Sequence, residues 1–189
     1  MYSNSHAYKK ELVETVNQYS TYLSLAVTLT MKQKATIRMK RFENWDGEYN
    51  EWEVRLDEAI AKDTLNYFYA RLTHYTFGKD ARRTSTKWYS QPVMLAALEG
   101  TDGSKRLHWH LALGNLPAMQ FWEASDLIAK TWSECDFAYK QIQVKPLTHT
   151  YGWLDYMAKE VHDGNMDAIC IDSIKQPQSI QQLVGAESR

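Results

Sequence analysis

Two apolar runs at residues 92–98 and 107–113 flank Gly100-Thr101-Asp102-Gly103-Ser104, a turn-forming segment. Runs of this length around such a turn predict two strands of an antiparallel hairpin. That pairing decides which side chains meet, so the other elements are placed around it. Residues 22–30 alternate Leu23, Leu25, Val27 and Leu29 with smaller or polar neighbours and form a further expected strand. Residues 136–144, with Phe137, Tyr139 and Ile142, and a short stretch through Ile169 and Ile171 complete about five strands. Helical spacing places helices over residues 6–19, over a segment running from Trp52 through Leu56 and Phe68 to Gly78, from Pro117 to about Glu134, and over 148–161. The expected order is α-β-α-β-β-α-β-α-β: an α+β fold with a central, mainly antiparallel sheet flanked by helices.

A chain of 189 residues suits one domain, and no linker or internal repeat divides it. Residues 1–189 are expected to form that domain, with 175–189 as a polar C-terminal extension. Lys plus Arg (22) against Asp plus Glu (23) excludes the profile of a general nucleic-acid coat protein, so any contact with DNA must be local. The local charge is nonetheless segregated: residues 31–41 carry Lys32, Lys34, Arg38, Lys40 and Arg41 with no acid, and an acidic stretch follows from 43 to 58. Two cysteines, Cys135 and Cys170, argue against a disulfide framework and a cysteine-held zinc. No segment has the apolar length of a membrane span or of a signal-peptide core, so a soluble cytoplasmic protein is expected, without a membrane partner.

The chemistry concentrates on the hairpin. Residues i and i+2 of a strand share a face, so His108 and His110 point the same way while Trp109 packs opposite. Glu99 ends the partner strand, where pairing brings it near the start of the returning strand. Two imidazoles and one carboxylate suit Mg²⁺ or Mn²⁺ acting on phosphate, and no thiolate is available for a closed zinc site. Tyr156 and Lys159 are three apart on the last helix, hence neighbours able to approach one phosphate. A phenol is a poor nucleophile until a cation or base assists it, and Lys159 with the metal would supply cations. Each residue also has a plainer role: a solvated strand end for Glu99, the edge of an apolar face for Tyr156, a solvated helix position for Lys159, half-buried polar residues for the histidines.

These residues resemble the HUH endonucleases, and in particular the single-tyrosine rolling-circle replication initiators, the Rep proteins. Leu25-Ala26-Val27-Thr28-Leu29-Thr30 is similar to the first Rep motif, His108-Trp109-His110 to the histidine–hydrophobic–histidine motif, and Tyr156-Met157-Ala158-Lys159 to the Tyr-x-x-Lys motif. They occur in the family's order, with Glu99 where the family places a third metal ligand. The resemblance implies a ferredoxin- or RRM-like HUH fold. It also implies a metal-dependent nickase in which Tyr156 and Lys159 are catalytic and Glu99, His108 and His110 hold Mg²⁺ or Mn²⁺. Its partners would be single-stranded or hairpin origin DNA, a separate helicase and the host replication machinery, since no phosphate-binding Gly-x-x-x-x-Gly-Lys loop is present. The host would be bacterial or archaeal, or the protein nuclear if it came from a eukaryotic virus. Tyr151 lies five positions before Tyr156, roughly 140° around a helix, so one nucleophile is expected. Lys32, Lys34, Arg38, Lys40 and Arg41, and then Arg82 and Arg83, are the candidates for DNA phosphates, against the plainer reading of solvated charges. Three rivals remain at this point: a transposase of the same superfamily, a nucleic-acid-binding α+β module without catalysis, and a metal-dependent hydrolase in which Tyr156 is structural.

Overall fold

The alternation seen in the sequence becomes a sheet in the computed structural model, which describes residues 7, 9–11, 13, 14, 17–40, 49–82, 90–103, 105–117, 119–159 and 175. Its strands are β1 (Leu23–Met31), β2 (Lys34–Lys40), β3 (Tyr49–Arg55), β4 (Val93–Glu99), β5 (His108–Gly114) and β6 (Ala138–Pro146). The helices are α1 (Glu58–Phe77), α2 (Phe121–Ser133) and α3 (Thr150–Met157). Four strands form an antiparallel sheet in the order β4-β5-β1-β6, and β2 pairs with β3 in a separate ribbon. The protein is therefore α+β, as the pattern predicts.

The sheet divides the core in two. On one face Leu25, Val27, Leu29 and Met31 of β1 join Trp109, Leu111 and Leu113 of β5 beneath Leu65, Phe68 and Leu72 of α1 and Ile128 and Trp132 of α2. Phe68 meets Trp132 edge to face at 5.7 Å, the favoured geometry for two ring quadrupoles. Glu134 ties α1 to the end of α2, accepting from Arg71 Nε at 2.9 Å and from the Tyr75 hydroxyl at 2.6 Å. On the other face Leu23, Val93, Leu95, Ala97 and Ala112 pack with Leu154, Met157 and Ala158 and with Val13 from the N-terminal helical segment. The second face is the one toward which His108, His110 and Glu99 project, because they share the strand parity of Ala112 and Ala97.

Several boundaries differ from expectation. The helix expected from Trp52 begins at Glu58: the Asp57 carboxylate accepts from the Ile60 N–H at 2.8 Å and caps it, and Trp52 lies in β3 opposite Ile37. The strands β2 and β3 were not expected, because the charge runs that mask them become cross-strand partners. Lys34 pairs with Glu53 at 2.9 Å and Arg38 with Glu51 at 2.6 Å. Pro117 does not start α2. Gln120 is still extended, and the Glu123 carboxylate accepts from its N–H at 2.7 Å, which sets the first turn at Phe121. The last helix starts at Thr150, later than the expected 148, where His149 Nδ1 accepts from the Gly152 N–H at 3.1 Å; residues 160 and 161 of the expected span lie outside the described residues. The strand expected through Ile169 and Ile171 lies outside the described residues. Lys175, where the expected polar extension opens, exchanges two backbone hydrogen bonds with Met94, at 2.8 and 2.9 Å, along the edge of β4, and the rest of that extension lies outside the described residues. Among the described residues no helix is long and apolar enough to cross a membrane.

Gly114 ends β5 where the chain at Tyr22 crosses it closely: a Cβ there would lie 1.6 Å from the Tyr22 carbonyl oxygen, so a side chain forces the backbone of β1 away. Gly114→Ala is expected to lower unfolding free energy by about 1–3 kcal/mol, the usual cost of overpacking, read from urea denaturation. An unchanged midpoint would mean that β1 yields freely at this point.

Candidate metal centre

The β4–β5 register sets Glu99 directly opposite His108, and the β1–β5 register sets Thr28 opposite His110. Glu99 and His110 are each only 4% exposed. Glu99 Oε2 lies 2.7 Å from His110 Nε2 and 3.2 Å from His108 Nε2, so one carboxylate oxygen faces both imidazoles. The ligand-type atoms of the three residues all lie within 4.8 Å of one another, a spacing that one metal ion can bridge. The outer ring nitrogens are also engaged. His108 Nδ1 lies 2.8 Å from the Arg106 carbonyl, which can only accept, so Nδ1 carries a proton, and in the neutral ring Nε2 is then the lone pair. His110 Nδ1 lies 3.1 Å from Thr28 Oγ1, a hydroxyl that can accept or donate and so serves either tautomer.

This donor set fits a divalent cation. In the neutral ring the His108 Nε2 lone pair would face a carboxylate oxygen, which a shared cation relieves. Burial by itself would raise the Glu99 pKa, but hydrogen bonds from Lys105, Lys159 and His110 outweigh it and hold the carboxyl well below the usual carboxylate range. Burial lowers the His110 pKa from 6.5 to about 4, against the opposing pull of its bond to Glu99. A ligating carboxylate must be ionised and a ligating imidazole neutral, and both groups are held in those states near neutral pH.

The helix α3 brings the rest. Tyr156 is 42% exposed, and its ring stands 5.0 Å from that of His110. Trp153 stacks on Tyr156 at 5.3 Å and 20°, meets His110 edge-on at 5.6 Å, and donates from Nε1 to the Leu111 carbonyl at 3.1 Å, pinning α3 to β5. Lys159 Nζ lies 3.9 Å from the centre of the Tyr156 ring and is bonded to Glu99 Oε2. Lys105 Nζ donates to the other oxygen, Oε1, at 2.7 Å. Tyr151 is exposed.

No family model, curated protein or solved structure matches the chain. Five of the residues expected from the sequence, Glu99, His108, His110, Tyr156 and Lys159, thus meet in one place. Three of the basic candidates have partners elsewhere. Lys34 and Arg38 are paired with β3, and Lys32 donates to the Asp136 carbonyl at 3.1 Å. The side chains of Lys40 and Arg82, and all of Arg41 and Arg83, lie outside what is described. Thr28, Lys105 and Trp153 were missed. Only Thr28 carried a signal, at the i, i+2 position from Thr30 on the face of β1 opposite its apolar residues.

Two outcomes follow from this geometry. Thr28→Val removes the partner of His110 Nδ1, and Mn²⁺ affinity measured by calorimetry is expected to fall by about 10–100-fold; an unchanged affinity would show that Thr28 does not orient the ligand. In EDTA, the unfolded chain protonates His110 from pH 6.5 downward while the folded protein resists until about 4. Stability therefore falls on acidification through that window, and Glu99, depressed when folded, adds a loss of the same sign below its ordinary value of 4.5. Melting temperatures between pH 7 and 4 should decline less steeply in His110→Asn than in the native protein. Parallel declines would contradict this.

Proposed function

We propose that the chain is an HUH-type replication initiator, nicking and rejoining single-stranded origin DNA through a tyrosine nucleophile to start rolling-circle replication of a plasmid or virus. The observation that carries the reading is the exposed Tyr156 ring set against a metal-binding triad and beneath a lysine ammonium. A merely structural tyrosine has no need of this company, whereas a phenol that must attack a phosphodiester needs access, positive charge and a fixed direction.

In this reading Tyr156 Oη forms a bond to the scissile phosphorus as the bond to the 3′ oxygen breaks. The phenol proton passes to solvent, the leaving oxygen takes one up from solvent to end as a 3′-hydroxyl, and the 5′ side stays on the protein as a phosphotyrosine ester. Mg²⁺ or Mn²⁺, held by Glu99, His108 and His110, would supply Lewis-acid stabilisation of charge on a phosphate oxygen. Lys159 contributes positive charge beside the nucleophile. Its pKa is lowered by burial but raised further by its bonds to Glu99 and Tyr156, so it stays an ammonium and not a base. Trp153 fixes the ring direction from behind. The DNA partner is single-stranded or hairpin origin DNA, opened by a separate helicase and extended by host replication proteins.

The test is a denaturing gel of labelled single-stranded oligonucleotides from the parent replicon, with Mn²⁺ or EDTA. A covalent protein–DNA band is expected with Mn²⁺ alone, and Tyr156→Phe should lose it by a factor on the order of 10³ or more. Cutting that persists without an adduct in Tyr156→Phe would instead indicate a water-activating hydrolase, and binding without cleavage would indicate a recognition module.

A further inference from the structure

Glu99 is the only acid in the triad, and both of its oxygens already carry an ammonium: Lys105 on Oε1 at 2.7 Å and Lys159 on Oε2. The two contacts are not equivalent. Oε2 is the oxygen that faces His108 Nε2 and His110 Nε2, so it is the one a cation shared with the imidazoles must use. Carboxylate oxygens have two lone-pair sites each, and those of Oε2 are met by His110 Nε2 and Lys159 Nζ. Oε1 and Lys105 lie outside that convergence. Lys159 has a second place to go: its Nζ is 3.9 Å from the centre of the Tyr156 ring, and its side chain is 29% exposed, so it can move without opening the core.

We infer that Lys159 and the divalent ion compete for Glu99 Oε2, so that metal binding is an exchange in which the ammonium leaves the carboxylate for the Tyr156 side. This rests on the metal-centre reading and deepens it. Loading the triad then leaves the ammonium, already over the Tyr156 ring, to the nucleophile alone, because two positive charges cannot share one oxygen without strong repulsion. In the absence of the ion, Lys159 serves as the counter-charge that lets Glu99 stay ionised while buried. By linkage, whatever holds Lys159 at Glu99 weakens the metal, and the metal in turn frees Lys159.

The experiment is Mn²⁺ titration of the full chain, with free Mn²⁺ followed by electron paramagnetic resonance, for the native protein, Lys159→Met, Lys105→Met and Glu99→Gln. Lys159→Met is expected to bind Mn²⁺ about tenfold more tightly than the native protein. Lys105→Met removes an equal charge without contesting Oε2 and should gain clearly less. Equal gains in the two lysine variants, or no gain in Lys159→Met, would overturn the exchange while leaving the metal centre standing, provided that native binding is 1:1 and lost in Glu99→Gln. Absence of Mn²⁺ binding in every protein would overturn both. Circular dichroism checks that each variant is folded, and Lys159→Gln, shorter and polar, should repeat the gain of Lys159→Met.

Discussion

A carboxylate buried to 4% exposure has to be compensated from all sides, and the site is organised by how this is done for Glu99. Lost hydration is costly for an ionised group unless paired charges and hydrogen bonds replace it. Here the replacements come from different parts of the chain: Lys105 from the turn after β4, His108 and His110 from β5, Lys159 from just beyond α3. None is adjacent to Glu99 in sequence. The arrangement depends on the β4–β5 register, since a slip of one residue would turn Glu99 or the histidines to the opposite face.

The two faces of the sheet divide the labour. One is closed by α1 and α2 over large apolar side chains, and β4 and β5 present no ionisable group to it. The other is covered in part by α3, whose Leu154 and Met157 bury against Ala97 and Ala112 while Tyr156 stays at the rim. Helix packing is thus what delivers the tyrosine: the same turn of α3 that seals the core sets the ring against His110. Trp153 adds direction, being hydrogen-bonded to β5 and stacked on Tyr156 at once.

The hairpin and its triad were legible because strand alternation and turn composition are local signals, and a two-residue period puts His108 and His110 on one face whatever the rest of the chain does. Tyr156 and Lys159 were legible for the same reason, from helical spacing, although α3 ends at Met157 before reaching Lys159. The ribbon of β2 and β3 was not. Its charges are blocked in sequence and meet their partners only across strands, Lys34 with Glu53 and Arg38 with Glu51. Trp52 read as helical because its neighbours keep a helical spacing into α1, and only the Asp57 cap separates the two elements. Thr28 and Lys105 act through contacts 82 and 6 residues away, which no periodicity announces.

The central claim, that Glu99, His108 and His110 form a metal centre beside Tyr156, is tested most directly by diffraction from Mn²⁺-soaked crystals at a wavelength where manganese scatters anomalously. The account predicts one anomalous peak bonded to Glu99 Oε2 and to Nε2 of both histidines, with Lys159 Nζ moved off the carboxylate. Lys159 still seated on Glu99 and no peak between the imidazoles, at Mn²⁺ concentrations that saturate other magnesium-type sites, would contradict it.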